Sequence, residues 1–248
     1  MTTHDDNQAV WPIPERAAFL ATQRLFHSLQ PETLTAIAGR MRVTPIADGE
    51  FVFVAGSPAD AINLLASGRI KVIHETDEGR EVILRLIQPG EIFGGAGVWG
   101  ADGYPASAVA LEPAVVLRLP AREVTDLARE HPEFALALVA ELAARLREAE
   151  TRIQELQTER VERRIARALL RLADKLGRKT ARGIEIDLPL SRQDLAELAG
   201  TTLSTASRTL SAWQQQGLIL AGRERVTILQ PHALVALAED FEPPPGAG

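Results

Sequence analysis

Ser191-Arg192-Gln193-Asp194-Leu195-Ala196-Glu197-Leu198-Ala199-Gly200-Thr201-Thr202-Leu203-Ser204-Thr205-Ala206-Ser207-Arg208-Thr209-Leu210 is the stretch that decides the fold of this chain. It reads as two helices, Arg192–Ala199 and Leu203–Gln215, joined by a glycine that takes the left-handed conformation a tight interhelical turn demands. Thr202 is placed to cap the second helix. Leu195, Leu198, Leu203, Ala206 and Leu210 then fall on one face and predict a shared core. Ser204, Ser207 and Arg208 project from the other face, near the N-terminal end of the second helix, where a helix reaches base edges in a major groove. A plain helical hairpin with incidental polar residues is the alternative. Against it stand the glycine, the cap and the strands that follow, Gly217-Leu218-Ile219 and Val226 to Leu229 around Gly222-Arg223, with Ile184 to Leu188 before them. Together these predict a winged helix-turn-helix. Its candidate DNA contacts are Arg192, Thr202, Leu203, Ser204, Thr205, Ser207, Arg208 and, in the wing turn, Arg223.

Working outward, the charge follows this module. The chain carries a net −6, yet residues 161–238 hold 12 Lys+Arg against 7 Asp+Glu, and residues 1–131 hold 11 against 17. A basic segment inside an acidic protein points to a separate unit with a polyanionic partner. A helix from Val161 to about Leu176, stopped by Gly177, opens that unit. Upstream, His131-Pro132 starts another, with proline at a first-turn position where its missing N–H costs nothing. Val139, Leu142, Leu146, Ala149, Ile153 and Leu156 step through it by alternating threes and fours, a heptad seam. Such a stripe either packs on its own domain or pairs with a second copy, and its narrowness favours a two-chain coiled coil over residues 132–160.

From Met41 to about Leu119 the texture changes to short runs rich in Val, Ile and Phe, after a helical stretch over residues 15–40. Phe51 to Val54, Ile62 to Leu65, Ile70 to His74, Val82 to Ile87 and Val115 to Leu119 are the strands, with turn chemistry at Asp48-Gly49 and Glu78-Gly79. Evenly spaced short strands predict a sandwich, barrel or roll. The chain thus divides into residues 15–131, 132–160, 161–238 and a Pro/Gly-rich tail, 239–248, expected to be disordered. With 46% hydrophobic and 24% charged residues the composition is that of a globular protein. The absence of cysteine removes disulfides, thiolate metal sites and cysteine nucleophiles. No apolar run approaches the ~18 residues of a membrane span, and the polar N-terminus lacks a signal-peptide pattern. The expectation is a cytoplasmic protein without membrane contact.

With these features, and with Leu64-Leu65-Ala66-Ser67-Gly68-Arg69-Ile70 in the glycine-spaced segment, the chain resembles the Crp/Fnr family of bacterial transcription regulators over nearly its whole length. The resemblance implies an α+β protein: an N-terminal β-roll sensor of cyclic-nucleotide-binding type, a long dimerisation helix and a C-terminal winged helix-turn-helix. It further implies a homodimer that binds palindromic double-stranded promoter DNA and recruits RNA polymerase when an effector binds. Family members that bind cyclic AMP carry a Gly-Glu pair and a later Arg-Ser or Arg-Thr pair. Here the stretch reads Phe93-Gly94-Gly95-Ala96-Gly97-Val98-Trp99, then Tyr104-Pro105-Ala106-Ser107. With Gly95 or Ala96 at the acid and Ala106 at the arginine, a cyclic phosphate loses its charge-assisted partner. Cyclic AMP is not expected to bind, and an iron–sulfur cluster has no cysteine ligands. The remaining resemblance is to the branch associated with nitric oxide or carbon monoxide and haem, or to members with no known effector. The expected effector pocket comprises Val72, His74, Phe93, Gly94, Gly95, Ala96, Ala106 and Ser107. Ile70, Val72 and His74 alternate onto one strand face, so His74, if that face is interior, is either a structural histidine or a haem ligand.

Gly95 to Gly100 also fits G-x-G-x-x-G, but Asp102, Gly103 and Pro105 break the helix that a dinucleotide site needs. No HExxH, G-x-S-x-G or nucleophile–base pair suggests catalysis, so an enzyme is not expected. Two alternatives remain open: a regulator with a ligandless, vestigial sensor, and a small-molecule-binding protein without a DNA function.

Overall fold

The computed structural model describes residues 11–76, 81–98, 103–186, 191–222 and 225–239. The chain divides into two compact units, Met1–Arg147 and Glu148–Gly248. The boundary falls inside a long helix, so the segment expected to stand apart at 132–160 is shared between the units. Of the tail, Glu239 ends a helix, and residues 240–248 lie outside the described residues.

The first unit begins with helices α1 (Ile13–Ala21) and α2 (Pro31–Arg40), both with proline near the first helical position. Strands β1 (Arg42–Ile46), β2 (Phe51–Phe53), β3 (Ala61–Ser67), β4 (Ile70–Glu75), β5 (Glu81–Ile87) and β6 (Ile92–Phe93) follow. Then come a one-turn helix α3 (Gly95–Val98), strands β7 (Ser107–Ala110) and β8 (Ala114–Pro120), and helices α4 (Ala121–Glu130) and α5 (Pro132–Thr158). The strands make two four-stranded sheets, ordered β1-β8-β3-β6 and β2-β7-β4-β5, antiparallel at every pairing. The period of two sorts the side chains of the first sheet. Ile62, Leu64, Leu117 and Leu119 face a core with Leu20, Ile37, Leu127 and Phe134 of the helices and Phe26 of the turn between α1 and α2. Leu65 and Val116 face the other way, into the roll, with Phe53, Ile70, Ile87, Phe93 and Tyr104. The five strands expected from sequence are present. β1, β6, β7 and α4 are additional to the elements expected from sequence.

The second unit holds the last turns of α5, then α6 (Val161–Leu176), β9 (Gly177–Thr180), β10 (Gly183–Ile186), α7 (Arg192–Ala199), α8 (Leu203–Gln215), β11 (Ile219–Ala221), β12 (Val226–Ile228) and α9 (Pro231–Glu239). Its sheet runs β11-β12-β10-β9. Asp187 and Leu188, expected in the strand before α7, and the Glu78-Gly79 turn lie outside the described residues.

Gly68 is one of the glycines that close approach demands. Gly68, between β3 and β4, has φ +81°, and a Cβ there would lie 2.6 Å from the Pro113 carbonyl oxygen and 2.7 Å from the Ala114 Cα. Gly49 has a similar φ, +74°, with open space around it. Gly49→Ala should therefore cost only the left-handed penalty of about 1–2 kcal/mol. Gly68→Ala should cost about 1–3 kcal/mol more, because backbone atoms must shift. Paired thermal denaturation of the two variants checks this; equal losses would mean that the Pro113 approach is not tight.

Candidate DNA interface and sensor interior

The helix pair is built from its caps. The Ser191 hydroxyl accepts from the Asp194 N–H at 3.0 Å, and the Asp194 carboxylate accepts from the Ser191 N–H at 2.9 Å, a reciprocal box that starts α7. The Ser-x-x-Asp spacing carried that signal in the sequence. α7 ends at Gly200, left-handed as expected at φ 60°, ψ 48°, and the Thr201 N–H closes the turn on the Ala196 carbonyl at 2.9 Å. Thr202 caps α8, its hydroxyl accepting from the Thr205 N–H at 3.3 Å.

Leu195, Ala196, Ala199, Ala206, Thr209, Leu210 and Trp213 are buried beneath this pair. Leu203 was expected in that core and is instead 47% exposed. As the first residue of α8 it lies with Ser204 and Arg208 on the open side, and Thr209 takes a buried place. Ser204, Arg208 and Thr202 are exposed; Thr205 and Ser207 are half-buried. Among the described residues nothing pairs with the Arg208 guanidinium. Arg192 is less available, because its Nη1 lies 3.4 Å from both the Ser207 carbonyl and the Ser211 hydroxyl. Arg223 lies outside the described residues. The positive excess of residues 161–238 is also partly spent internally. Arg163 and Arg167 pair with Glu159 at 3.3 and 3.1 Å, and Arg171 pairs with Glu155 at 2.7 Å.

Along α5, Phe134 and Leu138 are buried in the helical core of the first unit. Leu136, Val139, Leu142, Leu146, Ile153 and Leu156 are all exposed, Leu146 to 61%, and Ala149 is exposed among them.

Inside the roll, Phe53 stacks on Tyr104 with ring centroids 3.9 Å apart and planes 10° from parallel, and Phe93 lies 5.9 Å from Phe53. The Tyr104 hydroxyl donates to the Ala61 carbonyl at 3.0 Å. The segment Tyr104–Ser107 is tied to the loop after β2: the Gly56 N–H donates to the Tyr104 carbonyl, the Tyr104 N–H to the Ser57 carbonyl, and the Ala55 N–H to the Ser107 hydroxyl, at 2.8 to 2.9 Å. Asn63 is fully buried beside Gly94 and near the Tyr104 hydroxyl, and among the described residues neither atom of its amide has a hydrogen-bond partner of good geometry.

Against known proteins, residues 43–131 match the model of the cyclic nucleotide-binding domain and residues 163–237 that of the Crp-like helix-turn-helix domain. The chain is 32% identical to the cyclic AMP receptor protein of Thermus thermophilus over 214 residues, 86% of this chain and 96% of that protein. The chain belongs to the Crp/Fnr family of transcription regulators. It is also 30% identical over 207 residues to the transcriptional activator protein anr of Pseudomonas aeruginosa, covering 84% of each. The crystal structure of TTHB099, a CRP-family transcriptional regulator from Thermus thermophilus, superposes with a TM-score of 0.68 at 29% identity, over 79% of this chain and 96% of that one.

Gly95 supplies no acid and Ala106, which is buried, no cation; the Ser107 hydroxyl accepts from the Ala55 N–H. These residues do not fit a cyclic phosphate. Gly94 leaves no spare room, since a Cβ there would lie 2.8 Å from the Asn63 Nδ2 and 3.0 Å from the Phe53 ring. Val72 packs on the roll core. The side chain of Ala96, and Trp99 with Gly100, lie outside the described residues.

His74 corrects the expectation of an inward ligand. The β4–β5 register shifts between Val72 and Ile73, with Leu84 as the extra residue, and beyond the shift Ile73 is buried and His74 exposed. Among the described residues no group of three His, Cys, Asp or Glu could hold a metal. Haem therefore finds no support at the site expected for it. A cavity of about 320 Å³ does occur, but against α1, β1, β3 and β8, lined by Trp11, Phe19, Val43, Pro45, Ala66 and Val115, apart from the predicted pocket residues.

Tyr104 is the chain's one tyrosine, so its ionisation can be read alone. Burial, helped by the Asp60 carboxylate and opposed in part by hydrogen bonding with Ala61 and Asn63 and by Arg118, pushes its phenol above the ordinary value of 10.0. A raised folded-state pKa means stability that is full below pH ~10 and lost as the pH rises beyond it. The ultraviolet phenolate band should appear later than in free tyrosine and together with unfolding of the roll; a normal titration in the folded protein would place Tyr104 in water.

Proposed function

We propose that this chain acts as a homodimer on palindromic double-stranded DNA, presenting one α8 per half-site and recruiting RNA polymerase at promoters. The observation that carries the reading is the open face of α8, where Arg208 and Ser204 stand exposed and unshielded over a fully buried helix-pair core. Arg208 reads guanine through O6 and N7, a bidentate contact of about 1–3 kcal/mol. Ser207, Ser204, Thr205 and Leu203 meet adjacent bases or phosphates, and Thr202 and Arg192 set and flank the helix start.

The dimer seam is the apolar stripe of α5. Exposed aliphatic residues at heptad spacing are the pattern that a second copy covers by knobs-into-holes packing. The sensor works without a cyclic nucleotide: its effector is an apolar molecule that displaces the Phe53–Tyr104 stack. A second reading, a roll that holds no ligand at all, is favoured by the same stack, which fills the interior with the chain's own rings. Calorimetry with cyclic AMP should show no binding, and operator affinity should not change; tight binding would mean that the phosphate contacts lie elsewhere in the roll.

Two variants test the rest. Leu146→Glu should place like charges across the two-fold axis and give monomers in sedimentation, with operator binding lost; a persistent dimer would move the seam. Arg208→Ala should weaken binding to a selected palindrome by about 1–3 kcal/mol per half-site and leave binding to random DNA nearly intact. Equal losses on both would make Arg208 a phosphate contact.

A further inference from the structure

The turn between α7 and α8 is gripped from outside the helix pair. The last carbonyls of a helix have no donor within it, and at the end of α7 one side chain supplies two. Arg164, in the first turn of α6 and buried to 9% exposure, donates from Nε to the Ala199 carbonyl at 2.9 Å and from Nη2 to the Gly200 carbonyl at 3.1 Å. Its Nη1 donates to the Glu159 carbonyl, where α5 gives way to α6, at 2.7 Å. A guanidinium suits the place: the cation meets the negative end of the α7 dipole, and its rigid fork reaches separate acceptors at once. The end of α5 abuts the same turn, since a Cβ on Gly200 would run into the Leu156 side chain. Around the grip, Glu155 with Arg171 and Glu159 with Arg163 and Arg167 bind the last turns of α5 to α6.

We propose that Arg164 is a positioning residue for DNA reading. It touches no base; it fixes the α7–α8 turn, and so the direction of α8, to the end of the helix that carries the dimer seam. In a dimer that direction sets the separation of the two α8 helices, and with it the half-site spacing the protein accepts. The inference rests on the dimeric DNA-binding reading above.

The test uses the full-length chain and a palindrome selected by it from random DNA, together with the same palindrome lengthened or shortened by a base pair between half-sites. The unmodified protein should prefer its own spacing by about tenfold or more. Arg164→Lys keeps the charge but cannot bridge three carbonyls. It should remain dimeric, keep its affinity for a single half-site and for random DNA, and lose the spacing preference, its affinity ratio falling towards one. A merely structural role would lower all affinities and leave that ratio unchanged. An unchanged ratio in a folded, dimeric variant overturns the assignment while the functional reading stands; failure of the unmodified protein to select any palindrome overturns both. Should Arg164→Lys not fold, hydrogen exchange in the unmodified protein decides: a slowly exchanging Arg164 Nε proton supports the grip, and one exchanging at the rate of a free guanidinium removes it.

Discussion

One wall serves two cores. Along β3 and β8, alternate side chains leave the sheet in opposite directions, so Ile62, Leu64, Leu117 and Leu119 hold the helices while Leu65 and Val116 close the roll. A one-residue slip between these strands would exchange the two sets and empty both cores together. The register from Ala61 opposite Pro120 to Leu65 opposite Val116 therefore fixes where the helices pack and where the interior rings stack. The Gly68 turn sits at the end of this pairing, and the backbone approach there leaves no space for a side chain.

The second unit solves a different problem with local chemistry. Its helix pair is short, and it is shaped by caps and by one left-handed glycine more than by apolar area. Each end that would leave donors or acceptors bare finds a specific partner: Asp194 and Ser191 for one another, Thr202 for Thr205, Arg164 for the carbonyls of Ala199 and Gly200. Buried ion pairs gain little over an apolar core but cost dearly when broken. The cluster of Glu155, Glu159 and their arginines thus favours one arrangement of α5 against α6.

The helix-turn-helix was legible because its rules are local: a glycine, a cap and a helical period lie within twenty residues of sequence, and the structure places Gly200 and Thr202 in those roles. The heptad stripe was legible for the same reason. What was not legible depends on pairing partners far along the chain. His74 lies near the end of β4, past the last residue that pairs with β7, and is exposed there, which the alternation of its own strand does not record. Leu203 reads as apolar and therefore inward, yet at the first position of α8 it has no neighbour above it to pack on. Arg164 looks like one more surface cation of a basic segment; only the fold brings Ala199 and Gly200 to it across about 35 residues.

The unpartnered amide of Asn63 has a consequence for engineering. A fully buried polar group without hydrogen bonds costs about 1–3 kcal/mol, and an apolar residue of similar shape removes that cost. Asn63 stands on β3 opposite Phe93 and beside Gly94, within reach of the Tyr104 hydroxyl, so a leucine there would remove the amide and leave that hydroxyl to the Ala61 carbonyl and the Asp60 carboxylate. The roll is thus held below the stability its packing allows, and this position is the first at which a hardier version of the sensor unit could be made.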